Sequence, residues 1–504
     1  MASPVDTSAV EGLESQSFDF IVIGGGTSGL VIANRLTEDP TIRVLVLEAG
    51  SNRLHDPRIA VPGLAASTYF DPDFDWCITS PPQDRLNGRQ IAEPRGLCKT
   101  FTPPTPEIRD QLSLGYIDET LQGGDSPGQI SFGNGPFPAF NAAWPKAFEN
   151  LNHKPTGDPK SGVAKCAFCN PATINPKDKS RSHAGVAYYN EEIAKRTNLR
   201  VVTEATVERI VLEGNTDGSV TATGVQFTPK DGVRRTVAAA TEVILSASAV
   251  KSPQLLELSG IGGENLQEHG FVPFSWEVAD GQQSGEALRD PAVLCPLTSA
   301  YMTLPSLQDG ELTTLLKEYL EDNHHGQYTL ASFQITPEKS PSPKGIFGMP
   351  EPESFVRIVS VLNRPFSRGH THITSNDPYA APIFDPKFFS PPLDLELHAR
   401  HAQWLETLAA TKPIVSLIKQ GGRRLHNNGH RVNDLATARE MTRDRISGGV
   451  VDTSLRAYRA RNLRIVDASI MPLIPRGNIQ AIVFAIAEKA ADLIKEDLKV
   501  KGSD

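Results

Sequence analysis

At 504 residues the chain has material for roughly two or three domains, and 39% hydrophobic with 22% charged residues marks it as an ordinary globular protein, not a disordered, collagenous or coiled-coil one. Fifty Lys and Arg against 59 Asp and Glu leave a net charge of −9. A surface of that sign repels phosphate backbones and argues against nucleic acid as a partner. No apolar run approaches the about 18 residues of a membrane span; the greasiest, residues 479–487, contains Gln480. Residues 1–6 lack the basic start and apolar centre of a secretory signal. The five cysteines (77, 98, 166, 169 and 295) do not make a disulfide framework, and there is no Asn-x-Ser/Thr acceptor site. A cytoplasmic protein is the expectation.

The first element is Phe18-Asp-Phe-Ile-Val-Ile23, an apolar run ending at glycine, which reads as a strand buried on both faces of a parallel sheet. Gly24-Gly25-Gly26-Thr27-Ser28-Gly29 follows and matches G-x-G-x-x-G at Gly24, Gly26 and Gly29. A helical pattern with Leu30, Ala33 and Leu36 on one face runs to Asp39-Pro40, and a second strand, Val44–Leu47, closes on Glu48-Ala49-Gly50. Strand, glycine turn, helix, strand and acid form a Rossmann-like dinucleotide-binding unit. The helix start offers free N–H groups and partial positive charge to a pyrophosphate. Glu48 lies where an acid bonds the ribose hydroxyls, which disfavours a 2′-phosphate and therefore NADP.

Further along, strand patterns recur at residues 199–203, 205–212, 220–227 and 235–237, with Asp217-Gly218 and Asp231-Gly232 as turns of an antiparallel segment. Residues 242–247 read as another buried strand, followed by a helix through Pro253–Leu258. Residues 355–362 and 370–374 look like antiparallel strands, and Leu393–Thr411 has helical spacing. Arg464-Ile465-Val466 leads into Asp467-Ala468-Ser469, and residues 479–494 form an apolar helix. The Pro- and Gly-rich stretches 101–140 and 336–352 read as loops. Nucleotide-binding pieces thus stand at the start, middle and end of the chain. The expected fold class is α/β: a discontinuous Rossmann-like domain interleaved with an antiparallel-sheet α+β substrate domain. The expected boundaries are a flexible 1–17, a nucleotide domain of 18–65, 199–265 and 450–504, and a substrate domain of 66–198 and 266–449.

With these pieces in view the chain resembles the glucose–methanol–choline (GMC) oxidoreductases, most closely fungal members of secondary metabolism. The resemblance rests on residues 18–50; on Asp75-Trp76, Leu86-Asn87-Gly88-Arg89 and Pro94-Arg95-Gly96; on residues 248–262; and on Gly448–Asp452, Asn462–Ser469 and Gly477–Gln480. It implies FAD as cofactor, with Gly24, Gly26, Thr27, Ser28 and Gly29 at the pyrophosphate, Glu48 and Ala49 at the adenosine ribose, and the backbone of Val207 at adenine. It places Asp467 and Ala468 along the pyrophosphate and ribityl chain, and Ile479 and Gln480 near the flavin ring. The implied activity is oxidation of a small, possibly aromatic or polyketide-derived alcohol by hydride transfer, with O2 or another acceptor and no metal. Asn478 matches one of the family's two catalytic positions, and ahead of the 479–494 helix it can also cap that helix.

Three family elements are missing. Pro94-Arg95-Gly96 runs into Leu97-Cys98-Lys99 instead of a glycine–serine loop; Gly262 passes almost directly to Glu264–His269; and residues 438–445, where the family carries its catalytic histidine, contain none. Losing a positioned base costs on the order of 10²- to 10⁴-fold in rate. His269, His426 and His430 are candidate surrogates, although a role-free loop histidine is the simpler reading of each. The rival functions are a non-redox FAD-binding cyclase or an impaired remnant and, in another class, a nicotinamide-dependent reductase, against which the C-terminal return strand argues. Cys166-x-x-Cys169 lacks the partner ligands of a zinc site, and His370 and His372 share one strand face. Each missing element falls between matching stretches, the pattern left by mis-assigned coding boundaries. The transcript is therefore expected to encode extra residues at these three points, and a message encoding this chain unchanged contradicts that origin.

Overall fold

Residues 18–23 form the spine of the molecule. In this computed structural model the described residues are 10–62, 68, 71–76, 78, 100–122, 126–132, 137, 139–154, 157–161, 166–262, 266–267, 270–282, 298–302, 310–312, 314, 326–334, 354–362, 365–424, 432, 434–443, 460–471 and 479–501. Strand β1 (Phe18–Ile23) is followed by helix α1 (Thr27–Leu36) and strand β2 (Val44–Leu47), with Ile21 opposite Leu45 in parallel register. All four residues of β2 are buried, as expected of a strand covered on both faces. Thr37 stops α1 by turning its hydroxyl back to Ala33 O at 2.7 Å.

The short helix α2 (Pro57–Ala60) is capped by Asp56. The stretch expected to be loop, 101–140, carries the two-residue strands β3 (Thr100–Phe101) and β4 (Gln129–Ile130), and between them α3 (Pro106–Gln111), which Thr105 caps. Proline at the first helical turn costs nothing, so a Pro-rich segment still starts a helix. Helix α4 (Ala139–Asn150), strand β5 (Cys166–Cys169) and helix α5 (Ala184–Tyr188) follow.

Strand β6 (Leu199–Val202) extends the parallel sheet beyond β2. Strands β7 (Ala205–Gly214), β8 (Val220–Pro229) and β9 (Arg235–Leu245) form an antiparallel meander whose turns use Gly218 and Gly232 at positive φ. The sequence suggested separate strands at 235–237 and 242–247; they are one strand. Its first half pairs with β8 and its second lies parallel to β1, with Val243 opposite Ile21. Helix α6 (Ser248–Leu258) follows directly.

A second sheet holds β10 (Gly270–Glu277), β11 (Thr298–Met302), β12 (Gly326–Gln334) and β13 (Ser354–Leu362), in the antiparallel order β10-β13-β12-β11-β5. The weakly patterned sequences of β10–β12 gave no strand signal; their pairing is set across the sheet. Strand β14 (His370–His372) pairs with β15 (Ile383–Asp385) instead of β13. Helix α7 (Pro392–Ala409) is buried on nearly every side, and α8 (Leu435–Arg443) packs on it. Phe274, Trp276, Val356 and Ile358 of the second sheet meet Trp144 and Phe148 of α4 and Trp404 and Leu405 of α7. The Phe148 and Trp404 rings lie 5.5 Å apart.

Strands β16 (Ala460–Arg461) and β17 (Leu463–Ile465) return to the first sheet, β17 beside β9, and helix α9 (Gln480–Lys501) lies against α1. Phe20, Val22, Val44 and Val46 face α1 and the Phe484, Ala487 and Ile494 side of α9, whereas Ile21, Ile23 and Leu45 face the meander through Val225 and Phe227. Burial of each large apolar side chain contributes about 1.5–3 kcal/mol, so the parallel sheet is held from both sides. Among the described residues no helix is long and apolar enough to cross a membrane.

His398 sits inside α7, buried beside Phe389, and neither ring nitrogen has a hydrogen-bond partner among the described residues. Burial pushes its pKa from 6.5 down to about 3. Its contribution is therefore neutral above the unfolded pKa; below it the unfolded chain takes up a proton the fold refuses, and stability falls by about 1 kcal/mol per pH unit. Urea unfolding at about pH 7 and about pH 5 should lose stability more steeply in the wild type than in His398→Leu; equal slopes contradict this.

Candidate functional site

The turn after β1 is tied to strands on both sides. The Gly24 N–H donates to Leu47 O and the Ser246 N–H to Ile23 O, each at 2.8 Å. Gly24 has φ +102°, and a Cβ there would lie 2.5 Å from Ser246 O; at Gly29 a Cβ would lie 1.9 Å from Gly24 O. Packing within the protein therefore demands both glycines. Gly26 differs: a Cβ there meets nothing within 4 Å. The space beside Gly26 is open among the described residues. Gly26 also gives α1 no side-chain cap, so the N–H groups of its first turn stay available to a ligand, and Ser28 Oγ is buried with no partner among the described residues.

Glu48 stands across from this turn. Its Oε2 accepts from the Gly25 N–H and its Oε1 from the Gly50 N–H, both at 2.7 Å. Two charge-assisted bonds fix the carboxylate and leave lone pairs for hydroxyl donors. The Ala205 N–H donates to Glu48 O at 2.9 Å and the Glu204 N–H to Gly50 O at 3.1 Å, which brings the start of β7 beside Glu48 and Gly50; Val207 itself packs in the core of the first sheet. A crevice of about 320 Å³ opens here, and its lining includes Gly26, Thr27, Glu48, Arg181, His183 and Gln480.

Asp467 is buried, and its carboxylate is engaged within the protein. Oδ2 accepts from the Ser248 N–H at 2.9 Å and the Ser252 hydroxyl at 2.5 Å; Oδ1 accepts from the Ser469 N–H at 2.7 Å. Its side chain thus ties the C-terminal return to the head of α6, where Ser248 takes φ +85°. Ala468 packs with Ala249, Val250 and Met471, and Ile479 joins that cluster at the start of α9. Asn478, residues 86–96 and 448–452, His269, His426 and His430 lie outside the described residues.

Residues 438–443, at the position of the missing histidine, belong to α8 and serve packing. Ala438, Met441 and Thr442 are buried, and Arg439 pairs with Glu396 and Glu311 at 2.6 Å. Cys166 and Cys169 stand three residues apart on β5, and Cys169 is buried. His370 and His372 stack at 5.0 Å, and His372 Nδ1 shares a hydrogen bond with Glu257 Oε1 at 2.5 Å, fastening β14 to α6. Among the described residues no group of three or more His, Cys, Asp or Glu could hold a metal ion. Arg181 and His183 carry no motif in the sequence; only the folding of 181–189 against α1 brings them to the crevice.

The GMC oxidoreductase family model matches residues 133–271 with its N-terminal part and 365–487 with its C-terminal part. The dehydrogenase citC of Monascus ruber is 29% identical over 95% of this chain and 96% of its own, and the GMC oxidoreductase family protein Mala s 12 of Malassezia sympodialis is 27% identical over 96% and 93%. The alignment with citC runs to 602 positions, so the relative carries internal blocks that this chain of 504 residues lacks. The fold matches a formate oxidase of Aspergillus oryzae at TM-score 0.78 and 22% identity, covering 96% of this chain and 99% of that one. An FAD-dependent oxidoreductase from Chaetomium thermophilum matches at 0.77 and 21%, covering 96% and 100%. The chain belongs to the GMC oxidoreductase family. The family's cofactor is FAD, and the crevice fits its adenosine diphosphate half through the room at Gly26, the uncapped helix start, the unpartnered Ser28 hydroxyl and the fixed Glu48 carboxylate.

The two kinds of glycine separate by experiment. Gly26→Ala should unfold within about 0.5 kcal/mol of the wild type yet bind FAD at least about tenfold more weakly. Gly29→Ala, which forces backbone apart, should lose about 3 kcal/mol or fail to fold. Urea unfolding of the apoprotein beside FAD titration checks both, and unchanged FAD affinity in Gly26→Ala contradicts the reading. Asp467→Ala strands three donors and should cost about 2–4 kcal/mol.

Proposed function

We propose that the protein is an FAD-dependent oxidoreductase acting on a small, aromatic or polyketide-derived alcohol and releasing the aldehyde or ketone, in secondary metabolism. The observation that carries the flavin part is the Glu48 carboxylate fixed opposite the open Gly26 turn. The redox part is supported by family membership along most of the chain and by relatives described as dehydrogenases. The bound flavin supplies the hydride acceptor for this chemistry. In the proposal Gly24, Gly26, Thr27, Ser28 and Gly29 form the diphosphate cradle, Glu48 and Ala49 bind the adenosine ribose, and the Val207 backbone meets adenine. Asp467 and Ala468 position the return strand, Ile479 and Gln480 bring the head of α9 toward the ring, and Asn478 holds the substrate oxygen. Residues 18–65, 199–265 and 450–504 make up the flavin domain, and 66–198 and 266–449 the substrate domain. The electron acceptor is O2 or a second redox partner. A cytoplasmic location belongs to the same proposal, on the small and odd number of cysteines.

A second reading, an FAD-binding non-redox cyclase or an impaired oxidoreductase, is favoured by α8, whose residues pack in the core instead of supplying a base. Anaerobic mixing with a panel of alcohols separates the two. The leading reading expects the visible flavin band to bleach, at a rate on the order of 10²- to 10⁴-fold below that of a base-assisted enzyme. A holoprotein that dithionite bleaches but no alcohol does supports the second reading and overturns the first.

A further inference from the structure

The first turn of α6 carries a lysine for which the flavin chemistry has no use. Its neighbours Ala249, Val250 and Ser252 are buried, and Ala249 and Val250 pack with Ile78, Phe384, Ala468 and Met471. The Ser248 N–H and the Ser252 hydroxyl both donate to Asp467, so the helix is fixed on either side of Lys251. Lys251 itself is half-buried. Ile78 draws the segment before it onto α6, and Lys251 Nζ stands 4.2 Å from the centroid of the Trp76 ring.

Among the described residues no carboxylate pairs with this amine. Asp467 is engaged with three serines, and Asp71 and Asp73 of the Trp76 segment lie against Arg58 and Arg53. A ring face attracts a cation, but it gives no hydrogen bond in place of the water that burial removes. Burial pushes the Lys251 pKa from 10.5 down to about 8, with no charged group contributing. At about pH 7.5 roughly a quarter of such an amine is neutral, against about one in a thousand for an ordinary lysine, and the neutral form is the nucleophile. Trp76 is 55% exposed, so its ring also offers a flat apolar surface to a second ring arriving from solvent.

We propose that Lys251 and Trp76 form a covalent capture site for aromatic aldehydes. The Nζ lone pair adds to the carbonyl carbon. Both amine protons pass to the carbonyl oxygen, which leaves as water while the C=N bond forms, so no oxidant or reductant is consumed. The aldehyde ring rests beside the indole. The site needs no flavin, and it gives the chain a second place for the class of compound that the proposed reaction releases.

The test treats the holoprotein with dilute benzaldehyde and cyanoborohydride at about pH 7.5 and follows each modified lysine by peptide mass spectrometry. Lys251 should be labelled at least about tenfold faster than Lys146 and Lys230, which are exposed and paired with Glu149 and Glu204. The ratio of benzaldehyde to propanal labelling should also be higher at Lys251 than at Lys146. Trp76→Ala opens the amine to water, and should bring Lys251 to within about twofold of Lys146 in rate and equal to it in that ratio. Labelling of Lys251 no faster than that of Lys146 overturns the proposal, as does a Trp76→Ala chain that labels like the wild type. A colourless chain that is labelled fast at Lys251 upholds the capture site while overturning the flavin reading.

Discussion

The structure depends on one close approach of backbone to backbone. Gly29 lies so near Gly24 that no side chain fits between them, and a Cβ on Gly24 would in turn clash with Ser246 O. β1 and the helix it launches are brought into register there with a segment far along the chain, the junction of β9 with α6. The bonds from Gly24 to Leu47 and from Ser246 to Ile23 extend that register to the strands on either side. Because the ends of these strands are fixed, the Glu48 carboxylate and the first turn of α1 keep a constant spacing.

Asp467 performs the corresponding task for the last part of the chain. A buried carboxylate is costly unless each oxygen is satisfied, and here it accepts from Ser248, Ser252 and Ser469. The result is a rigid corner between α6 and the return from β17, from which the chain proceeds toward α9. A discontinuous domain needs such corners, since no local sequence holds its pieces together. The second sheet is organised on other terms, by aromatic packing of α4 and α7 against β10 and β13. Its helix α8 adds an ionic lock through Arg439, Glu396 and Glu311.

Much of this was legible in the sequence where local pattern and tertiary role coincide. β1, β2 and the glycine turn could be read because a buried parallel strand is apolar throughout and a nucleotide turn needs glycine at set intervals. The meander turns were legible because Asp217-Gly218 and Asp231-Gly232 supply positive φ. What escaped had its cause elsewhere in the chain. β9 looked like two strands because its two halves face different partners. β10 carries little alternation because neighbours that point to opposite faces, Phe274, Ser275, Trp276 and Glu277, are all buried. Arg181 had no motif because only the docking of α5 on α1 carries it to the crevice. The partners of the Asp467 carboxylate, Ser248, Ser252 and Ser469, had no linear signal either, because the fold alone brings the head of α6 to the C-terminal return.

The central claim is that the crevice between the Gly24 turn and Glu48 is built for FAD. The most direct measurement is the flavin content of the purified, cooperatively folded chain, released by acid and identified by chromatography. The account predicts a yellow protein that yields one FAD per chain and no NADP. A colourless protein that unfolds cooperatively, yet takes up no flavin even when refolded with an excess of FAD, would contradict it.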